Sequence, residues 1–328
     1  MSEYNILILS AGRRVELVTL FKKAAKDLNL KSTVVAADCS NTAPALYFAD
    51  KMIILPRIDD PAYIDAIIES SKKERIKLIV PTIDTDLMLL SKNQDYIFEK
   101  SGAKVLISSE KVITICRDKI KTHYYLEENG FNVPKLYEKD YQNILYPVFI
   151  KPVDGSSSIN AFKVNSRDEL DNYLKLIKKP MIQEYISGEE FTVDVFLDFD
   201  SKIISIVPRL RMQVRGGEIS KGKIIKNRLV IDEIMKLMRA LKPIGHITVQ
   251  LMLTDKGIKF IEINPRFGGG APMSIESGAN SCINLYKLLL NEKLTYNEDY
   301  EENLVFLRYD KSICLKDGVI QDDKSDNI

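Results

Sequence analysis

The sequence predicts an α/β domain on a parallel sheet followed by an α+β region. Three observations carry this. Short apolar runs alternate with helical stretches over the first 110 residues or so. Strand-like runs with few helices between them follow from Pro147 onward. Near the C-terminus, Phe260-Ile-Glu-Ile-Asn-Pro-Arg-Phe-Gly-Gly-Gly270 sets polar side chains at alternate positions of an apolar strand that empties into glycines.

Taken in order, Tyr4 to Ser10 reads as a buried strand, Arg14 to Asn29 as a helix, and Ser32 to Ala37 as a second strand ending at Asp38. Pro61 in Asp59-Asp-Pro-Ala has the layout of a helix start leading into Tyr63 to Lys73, and Leu78 to Pro81 is another short strand. The sum is a Rossmann-like domain of roughly 110 residues. Its first turn, Ser10-Ala-Gly-Arg-Arg, lacks the glycine fingerprint of dinucleotide binding, and no Gly-Lys-Ser/Thr phosphate loop occurs. A nicotinamide dehydrogenase is therefore disfavoured.

Beyond Glu110 a helix is expected around Asp118 to Asn129, stopped by Gly130 with Pro134 beyond. Strands are expected at Pro147 to Lys151, Ala161 to Val164, Pro180 to Glu184, Phe191 to Leu197 and Ile203 to Leu210. The tail from Asp317, rich in Asp and Lys, has little to bury.

Composition narrows the function class. Of 328 residues, 47 are Lys or Arg and 46 Asp or Glu, so there is no general basic field to draw the chain onto nucleic acid or an anionic membrane. The apolar stretch Ile6 to Leu9 is too short to span a bilayer and lacks the layout of a signal peptide, so a cytoplasmic location is expected. Four scattered cysteines (Cys39, Cys116, Cys282, Cys314) and two histidines (His123, His246) argue against a zinc site or a disulfide framework; buried free thiols are expected, and a structural His246.

Four segments carry candidate chemistry. In the C-terminal run, residues two apart share a strand face, so Glu262, Asn264 and Arg266 are expected to project together with Ile261 and Ile263 behind them. Oxygen ligands beside a fixed cation suit magnesium and a polyphosphate; a solvated edge strand is the alternative. In Tyr146-Pro-Val-Phe-Ile-Lys-Pro-Val-Asp-Gly-Ser-Ser-Ser158, an apolar strand ends at Lys151 before a Gly- and Ser-rich turn that either cradles phosphate or is an ordinary hairpin. In Met181 to Thr192, a strand broken by Ser187-Gly188 leads to paired glutamates, which read as an adenine-facing linker with a ribose-holding carboxylate or as a plain hairpin. In Pro208 to Glu218, Arg209, Arg211, Gln213 and Arg215 alternate, so three guanidiniums would line one face if the segment stays extended, where one or two would orient an acyl substrate or a γ-phosphate, or else the face is a solvated or salt-bridged one; Gly216-Gly217 with Lys221 and Lys223 reads as a mobile loop. Asp84 and Asp86 lie past a strand end, where either ligand binding or helix capping would use them; Arg13 and Arg14 face the same cleft or are surface charges.

These segments, in this order and at these distances, make the chain resemble the ATP-grasp superfamily, most closely the short proteins that look like one half of a carbamoyl-phosphate synthase large subunit. The resemblance implies an ATP-grasp fold with three parts: a Rossmann-like pre-ATP-grasp domain over 1–110, a small lid subdomain over 111–186, and a C-terminal subdomain with the metal site over 187–328. It implies Lys119 (in Arg-Asp-Lys) and Lys151 as phosphate-contacting lysines, and Gly155, Ser156, Ser157 and Ser158 as the loop closing over ATP. It further implies Glu184, Tyr185 and Ile186 as the adenine-facing linker, Glu190 on the ribose, and Gln250, Glu262 and Asn264 on magnesium, with manganese as a substitute. Arg266 would contact transferred phosphate or the acyl-phosphate. Glutamine at 250, where many members carry an acid, is shared with carbamoyl-phosphate synthases and leaves one protein carboxylate on the metal, so phosphates and water must complete the shell.

The implied activity is ATP-dependent ligation of a small carboxylate to an amine through an acyl-phosphate, releasing ADP and phosphate, with Arg266, Lys151, Arg211 and Arg215 as the charge-stabilising residues. Two alternatives stand beside it: activation of bicarbonate, as in carbamoyl-phosphate synthesis, and a nucleotide-binding regulatory module without catalysis. A homodimer is the expected assembly, with no nucleic-acid or membrane partner.

Overall fold

The first apolar run becomes the middle strand, β1 (Asn5–Leu9), of a five-stranded parallel sheet in a computed structural model that describes residues 3–138, 141–155 and 159–321. All five β1 residues are buried, as a strand covered on both faces requires. The chain proceeds through α1 (Val15–Asp27), β2 (Val34–Asp38), β3 (Lys51–Ile54), α2 (Tyr63–Lys73), β4 (Ile76–Pro81), α3 (Asp84–Ser101) and β5 (Lys104–Val105). Strand order is β3-β2-β1-β4-β5. The order reverses between β1 and β4, so the loops after these two strands open a crevice at the carboxyl edge of the sheet. The expected start of α2 is present: Asp60 accepts from the Ala62 N–H at 2.8 Å just before the helix.

Two short helices follow, α4 (Glu110–Arg117) and α5 (Lys119–Glu128). Asp118 caps α5 by accepting from the N–H groups of Ile120 and Lys121, which explains the acid in Arg-Asp-Lys, and Gly130 ends that helix region at φ 79°. Then come β6 (Leu136–Tyr137), β7 (Val148–Pro152), β8 (Phe162–Val164), α6 (Arg167–Leu176) and β9 (Pro180–Glu184), forming a four-stranded antiparallel sheet in the order β6-β9-β7-β8.

The last part holds β10 (Glu189–Leu197), β11 (Ile203–Arg215), β12 (Glu218–Ile224), α7 (Arg228–Leu241), β13 (Gly245–Thr254), β14 (Gly257–Asn264), α8 (Ala271–Glu276), α9 (Ser281–Leu289) and β15 (Val305–Leu307), with a terminal pair β16 (Leu315–Lys316) and β17 (Val319–Ile320). Its six-stranded antiparallel sheet runs β14-β13-β10-β11-β12-β15. Strand alternation gives it two chemically distinct faces. Phe191, Val193, Val195, Ile247, Val249 and Ile263 join the core with α7, while Thr192, Asp194, Thr248, Gln250 and Glu262 turn the other way, toward the crevice.

Two packing relations tie the parts together. Val112, Cys116 and Leu126 of α4 and α5 share the core of the C-terminal sheet. Phe21 of α1 meets Phe267 and Tyr286 edge-on at 6.0 and 6.3 Å, so α8 and α9 close back onto the N-terminal sheet layer. Of the four thiols, Cys116 and Cys282 are buried as expected, but Cys39 and Cys314 are exposed. No helix among the described residues is long and apolar enough to cross a membrane.

Candidate active site

The polar face of the C-terminal sheet and the crevice of the N-terminal sheet enclose one cavity of about 330 Å³, walled by Arg14, Asp84, Arg117, Arg211, Gln250, Glu262, Asn264 and Arg266 among others. Gln250 and Glu262 sit opposite one another across β13 and β14. A bulge between Gln250 and Leu251 makes this arrangement: Leu251 pairs with Phe260, so Phe260 enters the core and Glu262, two residues on, still faces the cavity. Ile261 is consequently half-buried at the bulge, and Phe260 with Ile263 does the packing expected of Ile261 and Ile263.

Arg266 lies past the end of β14, and its side chain returns to the cavity by forking onto Asp84, Nε to Oδ1 at 2.9 Å and Nη2 to Oδ2 at 2.5 Å. It also donates to Asn264 Oδ1 at 3.4 Å. Glu262, Asn264 and Arg266 thus meet in the cavity wall, through a turn rather than a continuous strand.

On the other side, Lys119 sits at the first turn of α5. Its Nζ donates to the Gly155 and Val153 carbonyls and lies 3.7 Å from Glu262 Oε1. Lys151, on β7, is buried, and burial together with nearby Lys119 pulls its ammonium down to about 8 against the pull of Glu262 in the other direction. The structure therefore brings Lys119, Lys151 and Glu262 into one electrostatic group. Gly155 adjoins it, while Ser156, Ser157 and Ser158 lie outside the described residues.

Glu184 is the last residue of β9, and Tyr185 and Ile186 begin the short link from it to β10. Glu184 accepts from Lys259 Nζ at 3.1 Å and from the Lys135 N–H at 3.0 Å, which pins the link to both neighbouring sheets. Tyr185 is exposed, with Lys163 Nζ 4.4 Å from its ring centre. Glu190 pairs with Arg211 at 3.0 Å.

The expectation of three guanidiniums on one face is corrected. Arg209 and Arg211 reach the cavity wall, but Arg215, 70% exposed, pairs with Asp310 instead. The cause is a pair of register shifts in β11 between Arg211 and Val214, which break the period-two alternation before Arg215 is reached. Gly216 and Gly217, at φ 57° and 77°, make a two-residue hairpin turn between β11 and β12, and Lys221 and Lys223 belong to β12, in place of the expected loop.

Sequence reasoning missed the hub beneath this wall. Asp194 is fully buried and accepts from Arg209 Nε at 2.8 Å, Ser274 Oγ at 2.5 Å and Thr248 Oγ1 at 3.1 Å, with His246 Nε2 at 3.4 Å. Burial alone would raise its carboxyl, but Arg209 and then His246 hold it well below the usual carboxylate range. The signal was present: Glu190, Thr192 and Asp194 are polar at every second position of an otherwise apolar strand. His246, on β13, is buried and stacks on Phe267 with ring centres 4.3 Å apart. Asp84 and Asp86 open α3; Asp84 holds Arg266, while Asp86 is buried and accepts from Ser10 Oγ at 2.7 Å.

Comparison with known proteins agrees with this architecture. Residues 6–107 match the family described as PylC-like, N-terminal domain, and residues 116–270 match the ATP-grasp domain. The D-alanine–D-alanine ligase of Fusobacterium nucleatum is 29% identical over 177 residues, a match taking in 50% of this chain and 59% of that one. The carbamoyl phosphate synthase large chain of a Thermoanaerobacter species is 28% identical over 220 residues, 60% of this chain and 20% of that one. The chain therefore spans less than two thirds of either relative. In fold, the N5-carboxyaminoimidazole synthetase of Staphylococcus aureus, solved with ADP, superposes with a TM-score of 0.72 at 17% identity, covering 89% of this chain and 79% of that one. The chain thus carries an ATP-grasp domain over residues 116–270 behind a PylC-like N-terminal domain over residues 6–107.

Proposed function

We propose that the protein is an ATP-dependent ligase that joins a small carboxylate to an amine. The observation that carries the reading is the meeting of Glu262, Asn264 and Arg266 in the wall of one polar cavity, with Lys119 3.7 Å from Glu262 and the buried Lys151 feeling both charges. A buried lysine, a second lysine 3.7 Å from a carboxylate, and a forked arginine make a site for a polyphosphate and for oxygens that gain charge during transfer.

The donor set fits magnesium delivered as a nucleotide complex. Among the described residues no three His, Cys, Asp or Glu side chains cluster, so Glu262 with the amide oxygens of Gln250 and Asn264 offers a weak, hard-oxygen site that phosphates must complete. Magnesium bound there would neutralise phosphate charge. Manganese would serve by the same oxygen chemistry.

The substrate carboxylate oxygen attacks the γ-phosphorus, the bridging P–O bond breaks and ADP leaves. The amine nitrogen then attacks the acyl carbon, the C–O bond to phosphate breaks, and the nitrogen gives up a proton. Lys119, Lys151 and Arg266 act by holding phosphate oxygens, Glu184 to Ile186 by framing the adenine edge, and Glu190 by facing the ribose. Residues 1–110, 111–186 and 187–328 serve as substrate-binding wall, lid and metal-bearing body, with cytoplasmic small molecules as partners and a homodimer as the assembly.

The test is phosphate release from Mg-ATP with pools of amino acids and other small carboxylates, alongside Glu262→Ala. Release that requires a pool member and is lost in the variant is expected. No release in any pool, or equal release by Glu262→Ala, would sink the reading; release stimulated by bicarbonate alone would replace it with carboxyphosphate formation.

A further inference from the structure

The guanidiniums in the cavity wall are not equally matched. Arg209 has Asp194 at 2.8 Å, Arg211 has Glu190 at 3.0 Å, and Arg266 has both oxygens of Asp84. Arg14 differs. Its sole ion-pair contact among the described residues is Glu218 Oε1 at 3.5 Å, and that carboxylate lies closer to Arg308, at 3.2 Å. Arg117 is also weakly matched, 3.9 Å from Asp84, but it also lines a second pocket with Asp118, Val153 and Asp154.

Arg14 is presented by a locked turn. Thr82 Oγ1 donates to the Leu9 and Ser10 carbonyls at 3.0 and 2.7 Å, and Ser10 Oγ is tied to Asp86. Asp38 accepts from the Gly12 N–H at 2.9 Å. The turn thus fixes the backbone that carries Arg14, whose side chain is 21% exposed at the cavity wall. Burial lowers its pKa, Glu218 only partly offsets that, and Arg266, Arg308 and Arg13 add to it, so an arriving anion would meet an under-compensated cation.

Gly269 lets Arg14 and Glu218 pack side by side against the backbone. A Cβ there would stand 2.8 Å from Arg14 Nη1 and 3.0 Å from the Glu218 carboxyl, so the two opposite charges lie together over a bare backbone at the cavity floor. A loose pair of this kind, guanidinium beside carboxylate, is complementary to a zwitterion that offers a carboxylate to the one and an ammonium to the other.

We infer that Arg14 and Glu218 form the head-group site for an α-amino acid, one of the two molecules to be ligated. The inference rests on the ligase reading for the role of that amino acid, but the site itself is a binding claim and is tested as one. Arg14 fixes the carboxylate through its fork; Glu218 takes the ammonium.

The experiment is calorimetric titration of the twenty amino acids, singly, into the Mg-ADP-loaded protein, followed by the carboxamide of any that bind, and by inorganic phosphate and phosphoethanolamine. Wild type is compared with Arg14→Gln and Arg14→Lys, with thermal unfolding as the folding control. At least one amino acid is expected to bind, its carboxamide to bind about tenfold or more weakly, and Arg14→Gln to lose about the same factor, while Arg14→Lys retains part of it. The carboxamide should not discriminate wild type from Arg14→Gln. Phosphate probes binding in place of amino acids would overturn the zwitterion assignment, as would equal affinity of Arg14→Gln, or no binding of any amino acid to folded wild type. Failure of the ligase reading shows separately, as Glu262-independent or absent phosphate release; amino-acid binding that needs Arg14 would then stand without it.

Discussion

Arg266 and Asp84, 182 residues apart in the chain, meet in a two-point fork that joins the end of β14 to the first turn of α3. Both residues line the cavity, so the same contact holds the guanidinium in its wall and couples the N-terminal sheet to the C-terminal one. Asp84→Asn keeps the shape and removes the charge. It is expected to cost about 1–3 kcal/mol in urea unfolding, less than a fully buried pair would, and to lower the rate of phosphate release about tenfold or more with a smaller change in KM for ATP. Unchanged turnover would show that Arg266 needs no orienting partner.

The buried hub gives a sharper stability prediction. Arg209 is 1% exposed, and Asp194 is its only carboxylate partner among the described residues. Removing the acid by Asp194→Ala strands that cation, along with Ser274 and Thr248, and is expected to destabilise the fold by about 3–5 kcal/mol. The sign in pH follows from the direction in which the carboxyl is displaced. A carboxyl held below its usual range stabilises the fold at every pH above that range and gives this up only as pH falls through its depressed native value, so the difference between wild type and variant should stay constant from pH 5 to 8 and narrow only in strong acid. A gap that closed near pH 5 would contradict the pairing.

The parallel sheet and most strands of this chain were legible because period and punctuation agree: β1, β2, α2, β4 and β9 fall within a residue or two of where apolar runs, Pro61 and the Pro180 start put them. What was not legible depends on single-residue register. Nothing local marks the bulge that sends Phe260 into the core and Glu262 into the cavity, since both lie on one face in an unbroken strand. The same holds for the shifts after Arg211 that turn Arg215 out to Asp310. Contacts such as Arg266 with Asp84, or Arg14 with Glu218, join segments about two hundred residues apart, and composition at either end is silent about the partner. Local chemistry predicts which residue types can build a site; the topology decides which of them meet.

Arg211 and Arg215 test that distinction directly. Both carry the same charge four residues apart, but Arg211 is 6% exposed and bound to Glu190, Thr192 and the Gly217 carbonyl, whereas Arg215 sits in an exposed pair. Arg215→Ala is expected to change stability by less than about 0.5 kcal/mol and leave phosphate release unaltered. Arg211→Ala leaves Glu190 without its partner and should raise KM for ATP or the carboxylate several-fold. Equal effects in steady-state assays of the two variants would restore the common-face arrangement that the register shifts exclude.

Asp86 carries a pH signature of opposite sign to that of Asp194. Burial raises its carboxyl from 3.8 to about 6; hydrogen bonds from Ser10 and Tyr63 work against the rise, and Asp38 and Asp84 add to it. Between those two values the folded state keeps a proton that the unfolded chain has released, so stability falls as pH rises through the window and is level above it. A tenfold difference in proton affinity between the folded and unfolded chain is worth about 1.4 kcal/mol, and on that scale the penalty amounts to about 3 kcal/mol near neutrality. Asp86→Asn keeps a carbonyl oxygen for the Ser10 hydroxyl and cannot ionise. Urea unfolding at steps from pH 4 to 8 should show the variant gaining on wild type up to about pH 6 and holding a constant advantage beyond it; parallel stability curves across the range would mean that the carboxyl ionises in the folded protein as easily as in the unfolded chain.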